Sequence, residues 1–405
     1  MTETLAIDGG VPVRSAPMPA WPSPTRTQID AVTAVLRSGR INYWTGTEGH
    51  SLEREYAEKL GRGHAIAVAN GTLALELALR GFGIGPGDEV VVPARSFIAT
   101  ASSVVAVGAR PVFADIDPES SDITAATIEA ALTERTAAVI VVHVAGWPAE
   151  MDLIMALARE CGFPVIEDCA QAHGATYRGR PIGSFGDAAF FSFCQDKIVA
   201  AGEGGLLALD DDAAYAIAWE YKDHGTSLVK ITDPAFTRQP ASFRWTHDTF
   251  GSNYRMPELE AAMVRAGERE LPAGHERRTE LAVRLARGLA GVRGVRVPLP
   301  PTHCEHAFYR LYAHVLPEEL AEGWDRDRVL FTIAAEGVPV QYGSCAELYR
   351  EEAFVRAGLG PAERLPGAAR ADATTLAFFV HPTLADADID DTIAAVRKTM
   401  EVAAR

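Results

Sequence analysis

The sequence contains few cysteines, and no two of them have the spacing of a known cysteine motif. The five cysteines stand apart without a CxxC motif, at Cys161, Cys169, Cys194, Cys304 and Cys345. This spacing suggests neither the ligand pairs of a structural zinc site nor a disulfide framework. Free cysteine is among the most often buried residues, so we expect reduced thiols in a reducing compartment.

Positive charge and long apolar runs are also scarce. The chain has 38 lysines and arginines against 54 acidic residues, a formal net charge of −16. A protein that binds nucleic acid along its phosphates needs a basic face, so nucleic acid is not an expected partner. Residues 1–10 lack a secretion signal, and no apolar stretch reaches the about 18 residues of a membrane helix. We therefore expect a cytoplasmic protein without a membrane partner.

Three familiar motifs are absent as well. The sequence has no GxxxxGK[ST] segment, and the glycines after its first strand-like run lack GxGxxG spacing. These absences argue against a P-loop enzyme and against a dinucleotide-binding enzyme. No histidine pair has HExxH spacing, so we predict no metal site.

Strand-like and helix-like patterns alternate along the chain. With 405 residues, 48% of them hydrophobic, two domains are expected. Short apolar runs alternate with helical patterns between residues 64 and 167, which predicts an α/β fold with a mainly parallel sheet covered by helices on both faces. The residue pattern changes at Glu258–Leu289 to that of a charged, helix-rich stretch, and a mixed α+β region follows it. We therefore predict a large domain at 1–257, with an N-terminal arm, and a smaller one at 258–405.

The pattern also predicts individual elements within the first domain. The predicted strands are His64–Ala69, Glu89–Pro93, Arg110–Asp115, Ala138–His143 and Pro164–Glu167. The predicted helices are Thr72–Leu79, Ser96–Val107, Thr124–Leu132 and Met151–Cys161.

Polar residues follow several of these strands, at the sheet edge where open α/β folds bind ligands. Gly71 and Thr72 open a helix whose free amides suit an anion such as phosphate, although the same pair is also a plain helix cap. Asp168 follows a buried strand, where a carboxylate needs a cationic partner such as a protonated pyridine nitrogen. A capping carboxylate is the alternative there. Gln171 is placed to add a hydrogen bond to the same ligand.

A further apolar run contains a serine, and a lysine follows this run. Phe190–Phe193 contains Ser192, and Lys197 follows it, before a glycine-rich turn at 202–205. A lysine at a strand end is usually solvated, but a desolvated lysine loses its proton more easily and can attack an aldehyde. Phe97, at another strand-to-helix junction, would either stack on a flat ring or pack in the core.

A combined pattern is spread over almost the whole chain. Its segments are Thr45–Gly46, Leu52–Glu53, Asn70–Leu75, Gly85–Val90, Glu167–Gly174, Gly186–Asp187, Phe191–Phe193, Lys197, Gly202–Gly205 and Gly251–Met256. In combination they resemble the DegT/DnrJ/EryC1/StrS family of sugar and aminocyclitol aminotransferases. The resemblance implies the fold-type I architecture and the cofactor pyridoxal 5′-phosphate.

The family resemblance also implies how each residue would act on that cofactor. Lys197 would hold it as a Schiff base and shuttle the substrate proton, while Asp168 would keep its ring nitrogen protonated. Gln171 would contact the phenolic oxygen, and Phe97 would stack on the ring.

The phosphate would be shared between subunits in this family. Gly71, Thr72 and Ser192 would hold it within one chain. Asn253 would reach the phosphate of the neighbouring chain, which implies a homodimer with shared active sites.

The substrates follow from the same resemblance. The amino donor would be an amino acid, with L-glutamate ranked first, and the acceptor would be a nucleotide-linked keto-deoxysugar, the commonest acceptor class. Tyr342 would contact the substrate, although Gln341–Cys345 departs from the family's His-Tyr-x-Pro-Leu-His pattern and a packed aromatic is an equal alternative.

Other functions stay open from the sequence. Leu5–Gly10 and Glu347–Tyr349 are similar to the branches acting on keto-cyclitols of the scyllo-inosose type and to aminohydroxybenzoate synthases. A non-enzymatic regulator that binds pyridoxal phosphate is a further alternative. A related branch has histidine in place of the lysine and performs dehydration, and Lys197 argues against that branch.

Overall fold

A computed structural model describes residues 4–237 and 245–405. Residues 1–3 and 238–244 of the first predicted domain therefore lie outside the described residues. The strands are β1 (His64–Val68), β2 (Glu89–Pro93), β3 (Arg110–Ala114), β4 (Thr136–Val142), β5 (Val165–Asp168), β6 (Thr176–Tyr177), β7 (Arg180–Pro181), β8 (Ala188–Ser192), β9 (Gly205–Leu209), β10 (Val295–Arg296), β11 (Cys304–Glu305), β12 (Leu311–Val315), β13 (Val340–Gln341) and β14 (Thr375–Phe378). The α-helices are α1 (Arg26–Ser38), α2 (Glu48–Leu60), α3 (Gly71–Gly81), α4 (Ala99–Ala106), α5 (Ala125–Glu129), α6 (Met151–Cys161), α7 (Asp212–Lys222), α8 (Leu228–Thr232), α9 (Pro234–Thr237), α10 (Glu258–Leu289), α11 (Arg326–Ala335), α12 (Glu352–Ala357), α13 (Pro366–Thr374) and α14 (Asp386–Ala403).

A seven-stranded sheet in the order β1-β9-β8-β5-β4-β2-β3 forms the centre of the molecule. Neighbouring strands from β8 to β3 are parallel. Successive side chains of β4 enter two separate hydrophobic cores, with Ile140 and Val142 in one and Val139 and Val141 in the other. The sheet is therefore buried on both faces, as its continuous apolar strands require. The prediction of a mainly parallel α/β fold is confirmed.

Strand β9 is the exception in this sheet, because it runs antiparallel to both of its neighbours, β1 and β8. Its first residue, Gly205, pairs with Val68 and with Ser192. A Cβ atom at Gly205 would lie 2.3 Å from the carbonyl carbon of Asn70, so only glycine permits this approach. The turn between β1 and α3 therefore lies against the glycine-rich turn that follows Lys197.

A second, antiparallel sheet lies in the C-terminal part, in the order β10-β12-β14-β13. Helix α10 leads to it and begins directly after Pro257. Contacts nevertheless cross the predicted boundary, since β11 pairs with β6 and the Leu348 amide donates to the Ala94 carbonyl at 2.9 Å. The division at 257/258 stays a prediction.

Two predicted helices are shorter in the structure. Helix α4 begins at Ala99 rather than Ser96, because the Ser96 amide donates to the Cys345 carbonyl at 3.1 Å and so leaves the helical path. Helix α5 ends at Glu129, although Thr124 caps its start as predicted, accepting from the Thr127 amide at 3.2 Å.

Within the described ranges, none of the helices combines the length and the apolar character that crossing a bilayer would need. The cytoplasmic location stays a prediction.

Candidate active site

A pocket of about 570 Å³ opens at the carboxyl ends of the central strands. Most of the residues singled out in the sequence line this pocket, namely Gly71, Thr72, Phe97, Asp168, Gln171, Ser192 and Lys197. They come from segments that extend over more than a hundred residues of the chain, and parallel strands bring them to the same sheet edge.

The start of helix α3 forms one end of the pocket. The Asn70 side chain caps this helix by accepting from the Leu73 amide at 3.0 Å. A Cβ atom at Gly71 would lie 2.9 Å from the Ser192 Cβ atom, so glycine allows the helix start and the end of β8 to approach. A helix start with no bulky side chain in front of it is suited to an anion.

Asp168 places a carboxylate in the middle of the pocket wall. Its Oδ1 atom accepts from the Ala170 amide at 3.1 Å, and its Oδ2 atom accepts from the Thr100 hydroxyl at 3.0 Å. Burial raises the pKa of the Asp168 carboxyl, although these two hydrogen bonds and the nearby Lys197 ammonium act in the opposite direction. No cation in the described part of the chain lies within ion-pair distance of it. A cationic ligand atom would compensate this buried charge.

The neighbouring Glu167 has a structural role instead. Its side chain points to the other face of β5, as alternation along a strand requires. There it accepts from the amides of Gly183, Phe185 and Gly186 at 2.7 to 2.9 Å. His143 also lies 3.3 Å from it. Of the two adjacent acidic residues, only Asp168 is therefore available to a ligand.

Lys197 reaches the pocket from a loop that is held at its backbone. Its amide donates to the Cys194 carbonyl at 3.0 Å, and its carbonyl accepts from the Trp21 indole at 3.0 Å. Its Nζ atom lies 3.7 Å from the Asp196 carboxylate and 5.1 Å from the centre of the Tyr309 ring. The backbone of Lys197 is thus held in place, whereas its side chain can rotate.

Phe97 and Gln171 both line the pocket but differ in exposure. The Phe97 side chain is 66% exposed although it lines the pocket, so it is a free ring face rather than part of the core. Gln171 is buried, accepts from the Ala145 amide at 2.6 Å, and donates to the Ser344 hydroxyl at 3.2 Å. The core-packing alternative for Phe97 is therefore disfavoured by its position.

Asn253 and Tyr342 are not brought to this pocket within one chain. Asn253 is exposed and bridges Asp223 by backbone pairing. The Tyr342 ring is 43% exposed, and the Arg326 guanidinium lies 4.5 Å from its centre. Neither residue is part of the pocket lining, so their predicted contacts with cofactor and substrate stay predictions.

Several residues next to the site were not singled out in the sequence. The Thr100 hydroxyl bonds both Asp168 and, at 2.7 Å, the Ser96 hydroxyl. Ser96 lies outside α4, so a helical i, i+4 spacing does not account for this pair, and no local pattern in the sequence indicated it. Ser344 and Tyr309 come from the C-terminal part of the chain, and no local pattern connects them with residues 168–197.

The comparisons with known proteins decide the family. Residues 22–397 match the model of the DegT/DnrJ/EryC1/StrS aminotransferase family. The chain belongs to this family. It is therefore a pyridoxal-phosphate-dependent aminotransferase, and the non-enzymatic alternative is not supported.

Individual relatives agree with this assignment. The chain is 38% identical to an "L-glutamine:2-deoxy-scyllo-inosose aminotransferase" from Streptoalloteichus tenebrarius, over 83% of this chain and 80% of the relative. A solved aminotransferase from Psychrobacter cryohalolentis has 44% identity and a TM-score of 0.90, over 94% of this chain and 98% of the other. The structure of DesI, described with its TDP-sugar product, has 28% identity and a TM-score of 0.84, over 97% and 95%.

The pocket of this chain fits pyridoxal phosphate. Among the described residues, none supplies a cation within ion-pair distance of the buried Asp168 carboxylate, and a protonated ring nitrogen would supply one. The small residue Gly71 leaves the start of α3 open for a phosphate. An exposed aromatic face at Phe97 and an amine at Lys197 complete the set of groups that this cofactor needs.

Proposed function

We propose that this aminotransferase transfers an amino group from L-glutamine to the ketone of a cyclitol of the scyllo-inosose type. The observation that carries the proposal is the 38% identity to an enzyme named for that donor and for 2-deoxy-scyllo-inosose. The sequence alone favoured a nucleotide-linked sugar and L-glutamate. Because of this relative, we rank a cyclitol above a nucleotide-linked sugar as acceptor, and L-glutamine above L-glutamate as donor.

The charges of the pocket support a neutral acceptor. Among the described residues that line it, Lys197 is the only cation, whereas Asp168, Asp196 and Glu203 supply three carboxylates. A cyclitol ketone carries hydroxyl groups and no charge, so it needs no further cation, and the Glu203 carboxylate can accept its hydrogen bonds. A nucleotide pyrophosphate would need arginines or lysines beyond those of this lining.

The residues of this chain would hold the cofactor in the following way. Pyridoxal phosphate supplies an electron sink and a carbon that carries the amino group between substrates. Lys197 would bind it covalently, Asp168 would hold a proton on its ring nitrogen, and Gln171 would donate to its phenolic oxygen. Gly71, Thr72 and Ser192 would hold the phosphate, while Phe97 would cover one ring face.

The same residues position the substrates and move the proton. The Lys197 Nζ atom takes the proton from the α-carbon of the donor and later delivers one to the acceptor carbon. The loop carrying Lys197 is held by Trp21 and by the Cys194 carbonyl, so only the lysine side chain has to move between these tasks.

The acceptor is tested by direct competition between ketones. We expect amine formation from 2-deoxy-scyllo-inosose or scyllo-inosose with L-glutamine, and at least about tenfold lower kcat/KM with a TDP-linked keto sugar. Products are measured by mass spectrometry, and L-glutamate replaces L-glutamine in a parallel series. Efficient amination of the TDP-sugar and none of the cyclitols would overturn this proposal.

A nucleotide-linked keto sugar is the second candidate. The structural similarity to DesI, described with a TDP-sugar product, favours it. In that case the additional cations would have to come from a second subunit or from residues outside the pocket lining. The ketone series above separates the two candidates.

We further propose a homodimer in which each site takes Asn253 from the other subunit. Asn253 is exposed and lies away from the pocket of its own chain. The same loop presents Phe250, which is 99% exposed, and Val229 nearby is 75% exposed. Large apolar side chains exposed next to a polar residue are typical of an interface.

Mixing two inactive variants tests the shared sites. We expect Lys197→Ala and Asn253→Ala homodimers each to be impaired, whereas a mixed dimer should have about half of the wild-type activity and a statistical mixture of subunits about a quarter. The reason is that one of the two sites in a mixed dimer then has both native residues. Activity is measured after subunit exchange, which native mass spectrometry confirms. Mixed dimers that remain inactive would contradict the arrangement.

A further inference from the structure

We infer that Asp196 and Tyr309 form a resting site for the protonated Lys197 amine in the intervals when it is neither bonded to the cofactor nor acting as a base. The inference rests on the proposed role of Lys197. It assigns to both residues a positioning role in transamination, because the lysine must leave and return within every catalytic cycle.

The contacts around the amine carry the inference. The Asp196 Oδ1 atom lies 3.7 Å from Lys197 Nζ, and the other carboxylate oxygen accepts a hydrogen bond from the Tyr309 hydroxyl. The Lys197 Nζ atom also lies 5.1 Å from the centre of the Tyr309 ring. An ammonium therefore finds a carboxylate and an aromatic face on one side of the pocket, two environments that both favour a cation.

Tyr309 is itself held in place. The Arg310 guanidinium lies 4.3 Å from the centre of the Tyr309 ring and donates to the Tyr309 carbonyl at 2.8 Å. Tyr309 and Arg310 are both buried. The Tyr309 hydroxyl thus fixes the Asp196 carboxylate in the orientation that meets the lysine.

The surroundings of the Asp196 carboxylate favour its negatively charged form. Although burial acts in the opposite direction, the Lys197 ammonium, the Tyr309 hydroxyl and Arg310 hold the pKa of the Asp196 carboxyl below its usual value. The second acidic residue that faces the amine is Asp168, and burial raises the pKa of its carboxyl. Asp196 is therefore the better ion-pair partner, and Asp168 is left for the cofactor.

The site has a direct chemical consequence. An ammonium has no free electron pair, so it cannot attack a carbon atom until its proton passes to solvent. The ion pair with Asp196 keeps the amine near the pocket and unreactive in the meantime. Because Asp196 is adjacent to Lys197 in the chain, this position needs only rotation of the lysine side chain.

Chemical labelling of the apoenzyme tests the ion pair without any turnover. The protein is treated with trinitrobenzenesulfonate at fixed pH, and labelling of Lys197 is followed by peptide mass spectrometry. We expect Asp196→Asn to raise the labelling rate of Lys197 about threefold or more, because the Lys197 amine loses the carboxylate that holds it in the resting site. Asp196→Glu retains the charge and should label more slowly than Asp196→Asn.

Matched controls identify a specific effect. The labelling rate of Lys59, a partly exposed lysine paired with Glu268, should be the same in every variant. Asp30→Asn, which removes an exposed carboxylate paired with Arg26, should leave Lys197 unchanged. Wild-type labelling of Lys197 in a folded Asp196→Asn protein would overturn the inference. If that variant does not fold, Tyr309→Phe decides, since faster labelling supports the resting site and an unchanged rate refutes it.

A second arm separates this inference from the proposed role of Lys197. Pyridoxal phosphate added to the wild-type protein should protect Lys197 from the reagent. Missing protection would refute the role of Lys197 in cofactor binding, whereas the comparison of apoenzyme variants would still report on the ion pair.

Discussion

Replacing Lys197 by alanine is expected to leave a folded protein whose turnover has fallen by at least about four orders of magnitude. In the proposed function a single atom, Lys197 Nζ, both holds the cofactor and moves the substrate proton, and no other lysine among the described residues lines the pocket. Transamination is measured with the best donor and acceptor. The visible absorbance band of the lysine-bound cofactor should also be missing after pyridoxal phosphate is added.

The matched control for this variant is Lys59→Ala. Lys59 lies on α2 and pairs with Glu268 at 2.6 Å, and it is not part of the pocket lining. This variant should retain both the visible band and the activity. Turnover of Lys197→Ala close to that of the wild type would remove the central assignment.

Replacing Asp168 by asparagine is expected to lower turnover by about a hundred- to a thousandfold. Asparagine keeps the size and can still accept from Thr100, but it carries no charge with which to hold a proton on the ring nitrogen. The ring then withdraws electrons less effectively. Steady-state kinetics gives the loss, and the retained visible band shows that the cofactor still binds.

A cofactor analogue tests the reason for that loss. A pyridoxal phosphate methylated on its ring nitrogen carries a permanent positive charge and needs no carboxylate to maintain it. It should recover a measurable part of the activity of Asp168→Asn and none of the activity of Lys197→Ala. An Asp168→Asn protein that the methylated cofactor does not rescue would contradict the proposal that the Asp168 charge acts by keeping the ring nitrogen positively charged.

The sequence predicts the fold well where a buried strand leaves a clear pattern. Strand β2 and helix α6 have their predicted bounds, because a continuous apolar run and an amphipathic segment each end in a turn. The reversed direction of β9 could not be predicted. Its run Gly205–Leu209 is apolar throughout, and such a run does not encode which neighbour it pairs with or in which direction.

The site was predictable where it follows a strand directly, as Asp168 and Ser192 do. Ser344 and Tyr309 escaped prediction, because they meet Gln171 and Asp196 only after more than a hundred intervening residues fold back. The adjacent Glu167 shows the limit of pattern alone, since both acidic residues end the same strand and only the alternation of the two faces separates them.

The main-chain pairing of residues 94–96 with residues 345–348 bears on how such enzymes diverge. The segment around Ser96 is joined to Cys345, and Ala94 to Leu348, by main-chain hydrogen bonds. Main-chain pairing makes no demand on side-chain identity, so substitutions at 345 can accumulate while the loop keeps its place, whereas the Ser344 hydroxyl also accepts from Gln171 at 3.2 Å. Gly343 is the fixed point, because its backbone has φ of +80° and an added Cβ atom would lie 2.7 Å from the Tyr312 hydroxyl. Natural variation can therefore change the side chains of this loop without altering the backbone structure that supports them.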